Sequence, residues 1–153
     1  MRKRVAPSTW YSLKVFDSLL QIVHRFVFDG SEIAAQNMGR SYAKARLQAV
    51  PLPDVLLAEG EPLETLARFA AQWREQYNFG EVSVTPLALH EGEHGARIRI
   101  TGYPDMSATH GHAIIGFTLE LAERAGAKAP ALQIEERPWM HNNVLCYALR
   151  WSH

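Results

Sequence analysis

The chain is poor in cysteine and carries no excess of either charge. Cys146 stands alone among 153 residues, which rules out an internal disulfide framework and suits a reducing compartment. Lys plus Arg number 16 and Asp plus Glu number 16, giving a net charge of zero. Nucleic-acid binders need a basic excess to release counterions, so the expected partners exclude nucleic acid. Two local basic clusters, Arg2-Lys3-Arg4 and Lys44/Arg46, read as a solvated tail and a solvated helix face. No window approaches the roughly 20 apolar residues of a membrane span. The charged opening is followed by Lys14, Asp17 and Gln21, which interrupt any apolar run, and no small-residue cleavage site follows. The expectation is a cytoplasmic protein. A nucleophile elbow, a phosphate-binding loop and a dinucleotide-binding glycine pattern are all missing.

What is present is a balanced globular composition, 47% hydrophobic and 21% charged, with seven histidines that titrate near neutral pH. The length fits one domain over 1–153, with 1–7 read as a flexible tail. Trp10, Leu13, Phe16, Leu20, Val23 and Val27 recur at three- and four-residue steps and predict a buried helical stripe over 8–28, capped by Ser8 or Thr9. Ser31 caps a second helix over 32–49 with a stripe of Ile33, Ala34, Met38, Tyr42, Ala45 and Ala49; Gly39 within it signals close helix packing. Pro51 and Pro53 stop this helix. A third helix over 62–77 starts on Pro62 and buries Leu66, Phe69, Trp73 and Tyr77. The period then falls to two. Strands over 82–89 and 96–101 flank the turn from His90 to Gly95, a helix covers 108–125 with Thr109 as its cap, and strands cover 130–137 and 143–151. The order α-α-α-β-β-α-β-β defines an α+β domain, with helices packed on a four-stranded, mainly antiparallel sheet.

Three segments carry a resemblance. They are the tryptophan-led helix Trp10 to Leu20, the run Ala34-Ala35-Gln36-Asn37-Met38-Gly39-Arg40, and Gly111 to Leu121 with the strands ending in Leu149-Arg150-Trp151. Together they resemble a family of small domains best known from myxobacteria, itself similar to the vinyl-four-reductase type domain and more distantly to the haem nitric oxide/oxygen binding domain. The resemblance implies an apolar cavity for a small ligand, or a surface for a partner. It argues against haem, because Tyr103-Pro104-Asp105-Met106-Ser107 lacks the Tyr-x-Ser-x-Arg clamp. The zinc-binding cysteines of some relatives are also absent.

Among candidate reactive residues, His110 and His112 sit at the start of the 108–125 helix, where an i,i+2 pair points two ways and cannot share a metal. Without evident partners, they read as cap or surface residues. His90 and His94, with Glu91 and Glu93, offer ligand types that suit zinc, but the flanking glycines make a hairpin loop rather than a helix face. Glu135 and Glu136 are strand neighbours, expected on opposite faces, one in solvent and one meeting Arg97 or Arg99. Cys146 reads as a small buried hydrophobe with no basic group beside it. Trp139 and Met140, in a polar turn after Pro138, read as a pocket plug or an interface.

These features favour a binding or regulatory domain over an enzyme. It would act in signalling through a partner protein, a homodimer or a small apolar ligand, with no cofactor. The ligand pocket is expected between the helical layer and the sheet, lined by Phe16, Met38, Tyr42, Ile114, Phe117 and Leu121. The alternative is a small metal-assisted hydrolase or lyase, with zinc held by His90, His94, His110 and His112.

Overall fold

The computed structural model describes residues 12–49, 55–90, 92–140 and 143–152. The expected 1–7 tail, the Ser8 and Thr9 caps, Trp10, the Pro51 and Pro53 stops and Glu91 lie outside the described residues. Helices α1 (Leu13–Val27), α2 (Glu32–Gln48) and α3 (Pro62–Ala71) are followed by a short α4 (Trp73–Gln76). Strands β1 (Glu81–Pro86) and β2 (His94–Thr101) then precede α5 (Ala108–Arg124). Strands β3 (Lys128–Glu136) and β4 (Val144–Ser152) close the fold, joined through a 3-10 turn at Pro138–Met140. The strand order is β1-β2-β4-β3, every neighbouring pair antiparallel. The architecture is α+β, as the pattern predicts.

Side chains on the caps set the helix starts. Ser12 accepts from the Val15 amide, Ser31 from Ala34, and Ser107, not Thr109, from His110. The third helix, expected to be continuous, breaks at Gln72 into α3 and α4.

Helix α5 is the centre of the molecule. Its residues Ile115, Leu121 and Ala122 are fully buried, as are Ile98 and Ile100 of β2 and Leu145, Tyr147 and Leu149 of β4. Thr118 of α5 hydrogen-bonds the Tyr147 hydroxyl at 2.8 Å across this layer. On its other side α5 meets α2 backbone to backbone. A side chain at Gly39 would overlap the Ala113 carbonyl, and one at Gly116 would overlap the main chain at Gln36. The seam therefore runs through Ala35, Gly39 and Ala43, each buried, rather than through the larger expected stripe. Ile33 and Tyr42 of that stripe are 71% and 51% exposed. Beside the seam the buried Glu120 carboxylate meets Arg124 at 3.0 Å, Arg40 at 3.5 Å and Lys44 at 3.8 Å.

Helix α1 also departs from expectation. Its inward side carries Leu13, Asp17, Leu20 and His24, and of its residues only His24 is buried. Val23 and Val27, read as buried, are 41% and 66% exposed. The physical reason is polar docking. His24 Nε2–H donates to the Ser31 carbonyl at 2.6 Å while Nδ1 accepts from the Thr109 hydroxyl at 2.9 Å. One turn and more away, Ser107 donates to Asp17.

On the sheet face away from α5, Arg97 pairs with Glu135 at 2.7 Å and Arg99 with Glu136 at 2.6 Å. The two glutamates share this face, contrary to strict alternation, because β3 shifts register between Ile134 and Glu136. Cys146 is 2% exposed on the same face, with Arg99 as its register neighbour, so a basic group does stand beside it. Its thiol donates to Glu135 at 3.3 Å. Among the described residues no helix is long and apolar enough to cross a membrane.

Candidate functional site

Where α1, α2, α3, α4 and α5 converge, they line a half-open cavity of about 550 Å³. Helix α1 contributes Leu13, Phe16 and Leu20, and α2 contributes Met38, Gly39, Tyr42 and Arg46. Phe69, Trp73, Tyr77 and Phe79 come from α3, α4 and the segment after them, and α5 supplies His110, Ala113, Ile114 and Phe117. Of the expected pocket residues, Phe16, Met38, Tyr42, Ile114 and Phe117 line this space. Leu121 does not. It points into the fully buried core, one turn beyond Phe117 along α5. The location also differs from expectation, since the walls are helical and the sheet lies behind α5.

The walls are an aromatic shell. Phe117 packs against Phe69 and Tyr42, with centroids 5.6 and 5.7 Å apart, and Trp73 stacks on Tyr77 at 4.2 Å. Phe16 sets its ring against His110 at 5.1 Å. Trp73 is held by its indole N–H, which donates to the Phe79 carbonyl at 3.0 Å.

Polar groups enter this shell at His110, at Arg46, and along α4 and the turn after it, where Glu75, Gln76 and Asn78 join the lining. At one end His110, 2% exposed, lies between two phenols. Tyr77 meets Nε2 at 3.1 Å and Tyr103 meets Nδ1. A neutral imidazole has one donor and one acceptor, so one phenol gives a proton to the ring and the other takes one. Burial lowers the His110 pKa to about 4, against a smaller upward pull from Asp17. Burial likewise pushes the phenols of Tyr77 and Tyr103 above their ordinary range. The ring is a neutral hydrogen-bonding group at physiological pH. At the other end stands Arg46. Its guanidinium lies 5.9 Å from the Tyr42 ring centroid and reaches the Tyr42 hydroxyl at 3.5 Å, while its buried Nε–H has no acceptor among the described residues. Arg46 is therefore not the solvated face residue expected from sequence.

His112 points away from this cavity. It is 1% exposed, its Nδ1 meets the Gln36 amide at 3.3 Å, and its Nε2 lies 3.5 Å from Glu32. Burial lowers its pKa, with Glu32 pulling the other way. Both histidines are thus buried, a correction to their reading as surface residues, and His112 Nε2 has no hydrogen-bond partner among the described residues. The Trp139 ring rests on Gly111, where a side chain would overlap it, and lies 5.1 Å from His112. Trp139 is half-buried against Gly111 and His112 and is not among the residues lining the cavity, while Met140 is 62% exposed.

His90 lies in the exposed loop before β2, and His94 is exposed at the strand's start. The set His90, His94, His110 and His112 does not assemble, and among the described residues no three His, Cys, Asp or Glu converge as metal ligands.

Tyr103, Tyr77 and Arg46 were not read as site residues from sequence. Tyr77 was legible as an aromatic at helical spacing, though not as a hydrogen-bond partner of a residue 33 positions on. Neither protein-family models nor curated proteins provide a match for the chain.

Proposed function

We propose that this protein is a non-enzymatic binding domain for a small, largely apolar molecule with an acidic head, held in the cavity between α1, α2, α4 and α5. The observation that carries the reading is an aromatic-walled space of about 550 Å³ with one buried, unsatisfied cationic donor, Arg46 Nε–H. The volume lies within the roughly 300–1,000 Å³ of small-molecule sites, which pair apolar walls with a few placed polar groups. A buried donor without an acceptor costs about 1–3 kcal/mol. A carboxylate on the ligand removes that cost and forms a charge-assisted hydrogen bond. The apolar body then occupies the space between Phe16, Met38, Ile114 and Phe117. The resemblance to ligand-sensing domains points the same way.

The regulatory output of such a domain lies in α1. Leu13, Phe16 and Leu20 form one wall of the cavity, yet α1 is otherwise held mainly through Asp17 and His24. An occupied cavity gives α1 apolar contacts that the empty one lacks, so the ligand shifts α1 toward its docked position.

Calorimetric titration with octanoate and with octanol tests the reading. Octanoate should bind saturably at one site per chain. Arg46→Met should weaken octanoate about tenfold or more while leaving octanol within about threefold, the size of one charge-assisted hydrogen bond. Met38→Trp, which fills the space, should abolish both. No saturable binding of either, or binding indifferent to Met38→Trp, rejects the proposal.

A further inference from the structure

The side of α1 turned away from the fold is apolar. Val15, Leu19, Ile22 and Phe26, at steps of three and four residues, are 50, 54, 52 and 77% exposed, and the adjacent Val27 is 66% exposed. The helix is therefore inverted, with Asp17 and His24 facing its own domain and its aliphatic face outward.

Five large apolar side chains, each half exposed or more, give this face an area comparable with the largest patch of a typical monomer, about 300–600 Å². Two such faces packed together approach the lower end of specific interfaces, roughly 1,200 Å² in total.

The surrounding charge selects the occupant. A helix lying in a lipid surface needs a polar face rich in Lys and Arg. Here the exposed polar flank runs Lys14, Ser18, Gln21, Arg25, with two cations three turns apart, and the chain has no net positive charge. The apolar stripe itself carries no charge, so two copies can face one another without like-charge repulsion. Its three- and four-residue spacing lets it interdigitate with an identical stripe.

We infer that α1 packs against α1 of a second copy of this chain across a two-fold axis, so that the protein is a homodimer joined next to its cavity. An isologous contact of this kind is the commonest form of soluble oligomer.

Sedimentation velocity of the full chain across micromolar concentrations, with circular dichroism of each variant, tests the inference. The unaltered protein should sediment as a dimer. Leu19→Glu and Phe26→Glu, both at exposed positions, should raise the dimer dissociation constant about thirtyfold or more each with unchanged helical signal. Met140→Glu, on a different exposed surface, should leave the dimer intact. A monomer at every concentration overturns the inference, as does a dimer indifferent to both α1 variants. Flotation of the unaltered chain with phosphatidylserine-containing vesicles, lost in Phe26→Glu, would also overturn it by assigning the face to a membrane surface. The two tests fail separately, because the octanoate titration reads variants at Arg46 and Met38 of α2 and sedimentation reads variants on the outer face of α1.

Discussion

Protonating His110 should destabilise the protein, and the effect can be worked from the site. The ring is 2% exposed and its pKa is lowered to about 4, mainly by burial. In the unfolded chain the same group titrates near 6.5. Between those values the unfolded state binds the extra proton and the folded state does not, so stability falls as pH falls through this window. The favourable contribution is fully present above pH 6.5 and fully lost below about pH 4. At about 1.4 kcal/mol per pH unit, the loss from pH 7.5 to 4.5 is about 2–3 kcal/mol. Acidification also acts on other groups of the protein, so a comparison is needed. His110→Gln keeps one donor and one acceptor for Tyr77 and Tyr103 but takes up no proton. Urea unfolding of both proteins at pH 7.5, 6.0, 5.0 and 4.5 should show the unaltered chain losing about 2–3 kcal/mol more than the variant. Parallel pH profiles, or an NMR titration placing His110 near 6.5, would refute the reasoning.

Gly39→Ala and Gly116→Ala each push a methyl into main chain across the α2–α5 seam. Each should cost about 3 kcal/mol or more in chemical unfolding despite the better helix propensity of alanine; a change under about 1 kcal/mol would show that the helices yield there. Cys146 is held as a thiol, its pKa pushed up to about 11 chiefly by burial, with Glu135 beside it. Its alkylation by iodoacetamide at pH 8 should run about a hundredfold slower than that of an unfolded control, and labelling at the control rate would contradict the buried thiol.

The fold was legible because the change from period 3.6 to period 2 after Phe79 is strong, and because Ser31 and Pro62 mark helix starts. Five of the six expected pocket residues line the cavity, since aromatic and Met side chains at helical spacing gather wherever helices converge. What failed was the choice of face. Helix α2 packs through Ala35, Gly39 and Ala43, small residues that carry little hydrophobic signal but allow the backbones to approach. Helix α1 docks by hydrogen bonds at Asp17, which accepts from Ser107, and at His24, which a search for an apolar stripe reads backwards. Period-two logic separated Glu135 from Glu136, but a register shift in β3 places both opposite arginines. The partners of His110 were invisible for a different reason. Tyr103 belongs to the turn before α5 and Tyr77 follows α4, and only tertiary packing brings them to one ring.

Methyl NMR of the full chain during an octanoate titration tests the central claim most directly. If the helical cavity is the binding site, the methyl signals of Met38 and Ile114 should shift saturably together, while those of Ile98 and Ile100 in the sheet core stay in place. Unmoved Met38 and Ile114 signals, or shifts confined to Leu19 and Ile22 on the outer face of α1, would contradict it.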